Sequence, residues 1–189
     1  MQSLFIDKKI TYDGHQLKSL HAYLTYGVLG NSVISWVGPC NITFEHMVDG
    51  EDLIAGAKIE GAEMLHFIIE IFDRDLFSGV ALQRLFTSII RDYLQNAAQA
   101  TLGKDVLERD GDDIFWDTRK LNISIAAKSP VSTMIHCAVN CTNRGTPVAT
   151  CSLEDLKLQA SKVATDVMVL LQREFESISK ATQKVRPLF

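Results

Sequence analysis

The sequence lacks the features that mark nucleic-acid-binding, membrane and secreted proteins. Basic residues are not in excess, since 19 lysines and arginines stand against 23 aspartates and glutamates, a formal net charge of −4. A nucleic acid or an anionic membrane is bound by a basic face, so neither partner is expected. No run approaches the roughly 18 uninterrupted apolar residues that a membrane-spanning helix needs. The first residues also lack a basic segment followed by an apolar one, which predicts no secretory signal and a cytoplasmic location.

Cysteine is scarce, and the sequence predicts neither disulfides nor a zinc site. The four cysteines are Cys40, Cys137, Cys141 and Cys151. A chain of this length buries enough apolar surface to fold without disulfides, so reduced thiols are expected. Cys137 and Cys141 have a metal-like spacing, but in a strand they would lie about 13 Å apart. Because two ligands of one zinc ion lie closer than that, we expect no structural metal.

Several motifs that carry chemistry are also missing. The sequence has no Gly-x-Ser-x-Gly turn, P-loop, dinucleotide-binding glycine run or His-Glu-x-x-His pair. Glu45, His46, Asp49, Glu51 and Asp52 form an acidic cluster that could bind a divalent cation, but the ligand spacing of an EF-hand is absent. Carboxylates also complement the dipole at the start of a helix. A solvated loop leading into a helix is the interpretation that we favour.

The composition is typical of a globular domain, with 47% hydrophobic and 22% charged residues. No repeat or linker divides residues 1–189, so a single domain is expected. The predicted elements are a helix over 15–26, a strand over 32–37, a short helix over 50–57, a strand over 64–72, a long helix between Asp75 and Gly103, strands over 106–108, 113–116, 120–126, 133–140 and 147–151, and a helix to about residue 183 that is interrupted near residue 158. This order predicts an α+β fold, in which helices back a mixed or antiparallel sheet.

The strand over residues 64–72 is apolar on both faces except at His66 and Glu70. Its apolarity predicts an interior position in the sheet. His66 and Glu70 share one face, because side chains alternate along a strand. They could line a cleft, with His66 as an acid, base or metal ligand. Alternatively, they are buried polar groups with ordinary partners, the carboxylate being paired with Arg74 or Arg84.

The hairpin over residues 113–123 has the sequence Asp-Ile-Phe-Trp-Asp-Thr-Arg-Lys-Leu-Asn-Ile. It resembles the hairpin of biotin and lipoate protein ligases, in which an Asp-(Ile/Val) pair is followed after a turn by a Lys-(Ile/Leu) step. The resemblance implies that Lys120 contacts the acyl group and phosphate of an acyl-adenylate, and that Asp113 is the matching aspartate. A lysine at the start of a strand can point into a cleft as a mobile cation.

Two other stretches extend the resemblance to roughly residues 15–150. Residues 135–140 are similar to a ligase strand that ends in asparagine. Residues 64–70, followed by Gln83 and Arg84, look closer still to an uncharacterised domain-of-unknown-function family with the biotin/lipoate protein ligase-like fold. The resemblance therefore implies a ligase-like cleft in an α+β domain.

One part of the ligase pattern is missing. Before the central strand the ligases have a loop rich in glycine and arginine, whose amides and cations hold the adenylate phosphate. Residues 57–63 have one glycine, Gly61, with one lysine and two glutamates, and the small-Gly pair after the ligase lysine is replaced by Asn122 and Ile123. The departure predicts weak phosphate affinity, so ATP is not expected to bind strongly and adenylate formation should be slow or undetectable.

Two functions remain open. In the first, the cleft binds a small carboxylate, acyl or nucleotide ligand, and the candidate ligand-binding residues are Lys120, Asp113, His66, Glu70 and Gly61. In the second, the chain is a non-catalytic binding or homo-oligomeric assembly module that kept the fold and lost the ligase chemistry. The sequence names no cofactor and leaves open whether the chain is an enzyme.

Overall fold

The computed structural model describes residues 1–188. Its strands are β1 (Gln2–Ile6), β2 (Ser32–Ile42), β3 (Ile59–Phe72), β4 (Leu107–Asp110), β5 (Asp113–Trp116), β6 (Arg119–Lys120), β7 (Asn122–Lys128) and β8 (Ser132–Asn140). Its helices are α1 (His21–Tyr26), α2 (Gly50–Ala55), α3 (Leu76–Ala97), α4 (Gln99–Leu102) and α5 (Ala160–Gln183), with a 3-10 turn over Phe44–His46. None of the helices in the described residues has both the length and the apolarity needed to cross a bilayer.

The main sheet has five strands in the order β1-β2-β3-β8-β7. β1 runs parallel to β2, and the other neighbours are antiparallel. β3 lies between β2 and β8, which confirms the predicted interior strand. β4, β5 and β6 form a second, smaller sheet. The predicted α+β class, a mixed sheet backed by helices, is confirmed.

The two faces of β3 belong to different cores. Leu65, Phe67 and Ile69 pack with apolar residues of α3 and α5 on the helical face. Met64 and Ile68 point to the opposite face, where the covering residues come from the segment between β1 and β2. Burial on both sides explains why this strand is apolar along most of its length. His66 and Glu70 lie on the second face, in register with Met64 and Ile68.

The predicted helix starts are confirmed where side-chain caps specify them. Asp75 accepts a hydrogen bond from the backbone N–H of Ser78 and begins α3. Asp49 accepts from the N–H groups of Glu51 and Asp52 and begins α2. Each carboxylate satisfies backbone donors that the first turn of a helix leaves without partners.

The predicted helix over 15–26 is wrong in its first half, since α1 begins only at His21 and residues 14–20 form turns. Leu20 has a left-handed backbone (φ 63°), and its N–H donates to Oε1 of Glu70 at 2.8 Å. A buried carboxylate on β3 thus holds the backbone in a conformation that a helix cannot contain. The local periodicity could not show this, because the partner is 50 residues away.

Three strand predictions also need correction. β2 was expected to end at Gly38-Pro39, but it continues to Ile42 through an irregularity between Gly38 and Cys40. Residues 59–63, expected as a loop, are the first part of β3. Residues 147–151 contribute only an isolated bridge between Thr150 and Lys120.

The predicted strand over 120–126 is two strands, because Leu121 carries the chain from the small sheet to the main sheet. The N–H of Leu121 donates to the carbonyl of Ile114, whereas its own carbonyl accepts from the N–H of Asn140. Leu121 therefore belongs to both sheets, and Lys120 and Asn122 lie on either side of the junction. This crossing places the hairpin of β5 and β6 beside the second face of the main sheet.

Candidate functional site

A cleft of about 460 Å³ opens on the second face of the main sheet. Its walls come from β3, β7 and β8, from the segment that includes α2, and from residues 112–120 and 146–150. Small-molecule sites commonly measure about 300–1,000 Å³, so the cleft has room for one. Its apolar lining consists of Tyr12, Leu17, Ile42, Met47, Val48, Ala57, Ile59, Met64, Ile123, Ile125, Pro147 and Val148.

The hairpin contributes an ion pair to the cleft. Nζ of Lys120 lies 2.8 Å from Oδ2 of Asp113, and both side chains are about one-third exposed. Burial raises the pKa of the Asp113 carboxyl, and the negative charge of Asp112 raises it further. The hydrogen bond and positive charge of Lys120 lower this pKa and so oppose the effect of burial. The lysine charge is thus largely balanced by its own neighbour, which weakens Lys120 as a binding site for an anion.

Asp112 is the most firmly held carboxylate of the cleft. Its Oδ2 accepts from Nε2 of Gln83 at 2.8 Å and from the hydroxyl of Ser124 at 2.7 Å, while Oδ1 pairs with Arg84. Its backbone carbonyl accepts from Nδ2 of Asn122 at 2.8 Å. Gln83 and Arg84, which carried part of the resemblance to the uncharacterised family, therefore position this carboxylate.

Two buried histidines lie at the base of the cleft. Nδ1 of His66 is 3.1 Å from Nε2 of His136, and Nε2 of His66 is 3.1 Å from the carbonyl oxygen of Gly38. The Tyr12 ring stacks on His136 with 3.6 Å between centroids, and Trp36 stacks on His66 at 5.3 Å. His136 lines the cleft, whereas His66 lies behind it.

Burial keeps both imidazoles neutral. It lowers the pKa of His66 to about 4, an effect that hydrogen bonds to the backbone at Gly38 and Pro39 only partly oppose. Burial likewise places the pKa of His136 well below its ordinary value, and the neighbouring His66 lowers it further. The Tyr12 phenol also stays protonated, since burial raises its pKa far above the usual range.

The structure brings together only some of the residues predicted to bind a ligand. Lys120 and Asp113 line the cleft, and His66 is connected to it through His136. Glu70 and Gly61 are buried in β3 and are not among the lining residues. Their role in ligand binding stays a prediction that this geometry does not support.

Glu70 has local partners of its own. It accepts hydrogen bonds from the N–H of Leu20 and from the hydroxyl of Ser132, the latter at 2.5 Å. The expected pairing with Arg74 or Arg84 is wrong, because Arg84 pairs with Asp112 and Arg74 bonds to the carbonyl of Asp73. Glu70 therefore ties the turn before α1 to the sheet.

Sequence reasoning missed three contributors to the cleft: His136, Asp112 and Tyr12. His136 interrupts an apolar strand as His66 does, so the same argument would have selected it. Asp112 follows the turn dipeptide Asp110-Gly111 and precedes the ligase-like Asp113. Nothing in the local sequence distinguishes it from a solvated aspartate. Tyr12 comes from a segment with no regular structure beyond one bridge to Cys40.

The charges around the cleft are mostly negative. Its lining includes six carboxylates, Asp49, Glu51, Asp52, Glu60, Asp112 and Asp113, against two lysines, Lys58 and Lys120, a formal balance of −4. Part of the acidic cluster, which the sequence predicts to be a solvated loop, thus borders the cleft. In residues 1–188 no three His, Cys, Asp or Glu side chains form a group that could hold a metal ion.

The arrangement of sheet, helices and hairpin is the biotin/lipoate protein ligase-like fold. A mutant biotin protein ligase from Aquifex aeolicus, solved in complex with biotin, superposes with a TM-score of 0.58 over 97% of this chain and 72% of that one, at 11% identity. At so low an identity, the similarity shows the fold alone.

The chain belongs to the family described as a domain of unknown function (DUF366), whose model matches residues 1–186. A protein of unknown function from Pyrococcus horikoshi is 35% identical and superposes with a TM-score of 0.93 over all of both chains. An uncharacterized protein of Methanocaldococcus jannaschii is 28% identical over 195 residues, which cover 100% of this chain and 86% of the relative. The predicted membership of an uncharacterised family with a ligase-like fold is confirmed.

Proposed function

We propose that this chain is a small-molecule-binding protein and that its ligand occupies the cleft beside Asp113, Lys120 and His136. The observation that carries the proposal is the combination of an apolar lining with convergent polar groups in a cleft of about 460 Å³. Such a combination is typical of ligand sites, in which apolar surface supplies affinity and a few polar groups fix orientation. The cytoplasmic location expected from the sequence is part of the same proposal.

The lining favours a ligand with an apolar body over a nucleotide. An acyl or similar hydrocarbon group can contact Met64, Ile123 and Ile125 along the sheet. The triphosphate of ATP would instead meet a lining with a formal balance of −4, in which Lys120 is already paired to Asp113. Since like charges in a partly buried site repel strongly, these residues do not fit ATP, and we propose no adenylate chemistry for this chain.

The test is a ligand-detected NMR screen of fragments that have an apolar body and a cationic, neutral or anionic end. Ala57 lines the cleft and is small, so Ala57→Trp should fill part of it. We expect fragments that bind the native chain to lose about tenfold or more in affinity to this variant, because the indole occupies their volume.

Ala55→Trp is the matched control, because Ala55 is exposed on α2 and does not line the cleft. The same substitution at this position should leave fragment affinity unchanged. The proposal is wrong if no fragment distinguishes the native chain from Ala57→Trp, or if both tryptophan variants weaken binding equally. A non-catalytic assembly module would give the first of these results.

A further inference from the structure

The hydrogen-bond chain at the base of the cleft has a defined direction. The carbonyl oxygen of Gly38 can only accept, so Nε2 of His66 must carry the proton of that ring. A neutral His66 then has a lone pair on Nδ1 and can only accept from Nε2–H of His136. His136, also neutral, is left with a lone pair on its own Nδ1.

Nδ1 of His136 is an acceptor to which no side chain or backbone N–H of residues 1–188 donates. The side chain is 1% exposed, yet the residue lines the cleft. Among residues 1–188, the ring hydrogen bond of His136 is the one from Nε2 to His66, and no donor meets Nδ1. Tyr12 packs flat against the ring, so the approach to the lone pair lies in the ring plane. Because Nδ1 is not among the fully buried polar atoms that lack a partner, it is accessible from the cleft, where a ligand that supplies a donor can bind it.

The electrostatic surroundings select which donor fits. The lining has six carboxylates and two lysines. Lys120 is paired with Asp113, and Asp112 accepts from Gln83 and Ser124 and pairs with Arg84. A ligand carboxylate has no N–H to donate to Nδ1 of His136, and its negative charge is repelled by the lining carboxylates. An ammonium or guanidinium supplies N–H donors and has the opposite charge.

We propose that the ligand carries a cationic N–H donor, an amine or guanidinium on an apolar body, and that this donor binds Nδ1 of His136 in the cleft whose lining includes the six carboxylates. The proposal rests on the proposed function, since it names the class of ligand for the same cleft. It reverses the polarity that the ligase resemblance implies, in which an anionic acyl-adenylate would meet Lys120.

The first experiment compares three probes with one apolar body: 4-phenylbutylamine, 4-phenylbutanol and 4-phenylbutyrate. Affinities for the native chain are measured by ligand-detected NMR at low salt. We expect the amine to bind about tenfold or more tightly than the carboxylate, with the alcohol in between, because the amine gains both the hydrogen bond and the charge interaction. Equal affinities, or a preference for the carboxylate, overturn the inference.

Variants then separate the two contributions. His136→Phe keeps the ring stacked on Tyr12 but removes the acceptor, and should weaken the amine about tenfold while changing the carboxylate little. Glu60→Gln should weaken the amine about threefold through charge alone. Glu45→Gln, which removes a carboxylate that does not line the cleft, is the control and should change neither affinity. Unchanged amine binding in folded His136→Phe contradicts the inference.

A measurement on the native chain covers the case in which His136→Phe does not fold. Two-bond ¹H–¹⁵N correlation spectra distinguish the tautomers of a histidine ring. We expect Nδ1 of His136 to be unprotonated in the free chain and its ¹⁵N shift to change when 4-phenylbutylamine is added. A protonated Nδ1, or no shift change at saturation, overturns the inference.

These results are distinguishable from failure of the proposed function. If 4-phenylbutyrate binds at least as tightly as 4-phenylbutylamine and Ala57→Trp prevents its binding, the cleft is a ligand site and only the inferred class of ligand is wrong. If none of the three probes responds to Ala57→Trp, both the proposed function and the inference fail.

Discussion

At the scale of single residues, burial gives the two histidines a role that their ordinary chemistry would not. An exposed histidine changes charge near neutral pH and can act as a switch. His66 and His136 are almost fully buried and stacked between aromatic rings, so they remain neutral and serve as a directional pair of donor and acceptor. The geometry thus favours recognition of a donor over transfer of a proton.

The same burial predicts how stability depends on pH. Burial lowers the pKa of His66 from 6.5 to about 4 in the folded chain, so the unfolded chain takes up its proton first as the pH falls. The free energy of unfolding therefore keeps its full value with respect to His66 above pH 6.5 and falls as the pH is lowered to about 4. The loss amounts to about 3 kcal/mol. Urea unfolding at intervals between pH 7.5 and about pH 4.5 measures this decline together with that from His136, whose pKa burial lowers in the same direction.

Ring resonances give the site-specific check. The His66 signals should move little between about pH 8 and pH 5, and a midpoint above about pH 6 would contradict the assignment. His15→Asn is a control for the unfolding series because His15 is exposed; the variant should show the same decline as the native chain.

At the scale of elements, the irregularity in β2 connects the segment before α1 to the histidine pair. The backbone at Tyr12 pairs with β2 beside the bulge, through bonds to Pro39 and Asn41. Gly38 supplies the carbonyl that sets the tautomer of His66, and the carbonyl of Ile10 accepts from the indole N–H of Trp36. One bend in a strand therefore holds Tyr12 over the base of the cleft.

Gly38→Ala tests this connection. A Cβ at residue 38 would lie 1.9 Å from the carbonyl oxygen of Ile10, so the Ile10 backbone would have to move away and release Trp36. We expect the free energy of unfolding to fall by about 3 kcal/mol or more. In the control, Gly50→Ala, the new methyl group meets nothing within 4 Å, and stability should stay within about 0.5 kcal/mol. Equal stability of the two variants in urea would show that the segment is not held as described.

At the scale of the whole molecule, the main sheet separates a helical core from the functional face. The apolar residues of α3 and α5 meet Leu65, Phe67, Ile69 and Ile71 of β3, and the cleft opens on the other side. All four cysteines are free and buried within these cores. Their reactivity therefore reports on opening of the structure that covers each thiol, because a thiolate forms readily only after exposure.

Thiol labelling measures that opening. Burial raises the pKa of Cys40 and Cys141 to about 12 and of Cys151 to about 11, and it raises that of Cys137 as well. At pH 8, a disulfide-exchange reagent should label the native chain far more slowly than the unfolded chain, in which all four thiols react. Thr182→Cys adds an exposed thiol on α5 and should react at once, as an internal standard. Prompt labelling of the native cysteines would contradict the burial described.

The elements that could be predicted from the sequence are those whose signals are local. The apolar run of β3 predicts an interior strand, and Asp75 predicts the start of α3, because the periodicity and the cap lie within a few residues of the structure that they specify. The ligase-like Asp113 and Lys120 could also be found, since the turn between β5 and β6 brings them together. The pairing of these two side chains follows from that short hairpin.

What the tertiary structure alone decided depends on partners far apart in the chain. His66 meets His136 across 70 residues, and Glu70 holds Leu20 across 50. No local pattern encodes either contact, because hydrogen-bond partners on neighbouring strands are set by the register of the sheet. The same register places His136 in the lining of a cleft that has more carboxylates than lysines. The sequence by itself therefore determined the fold class and the hairpin, whereas the polarity of the cleft was decided by which distant side chains the folded sheet brought together.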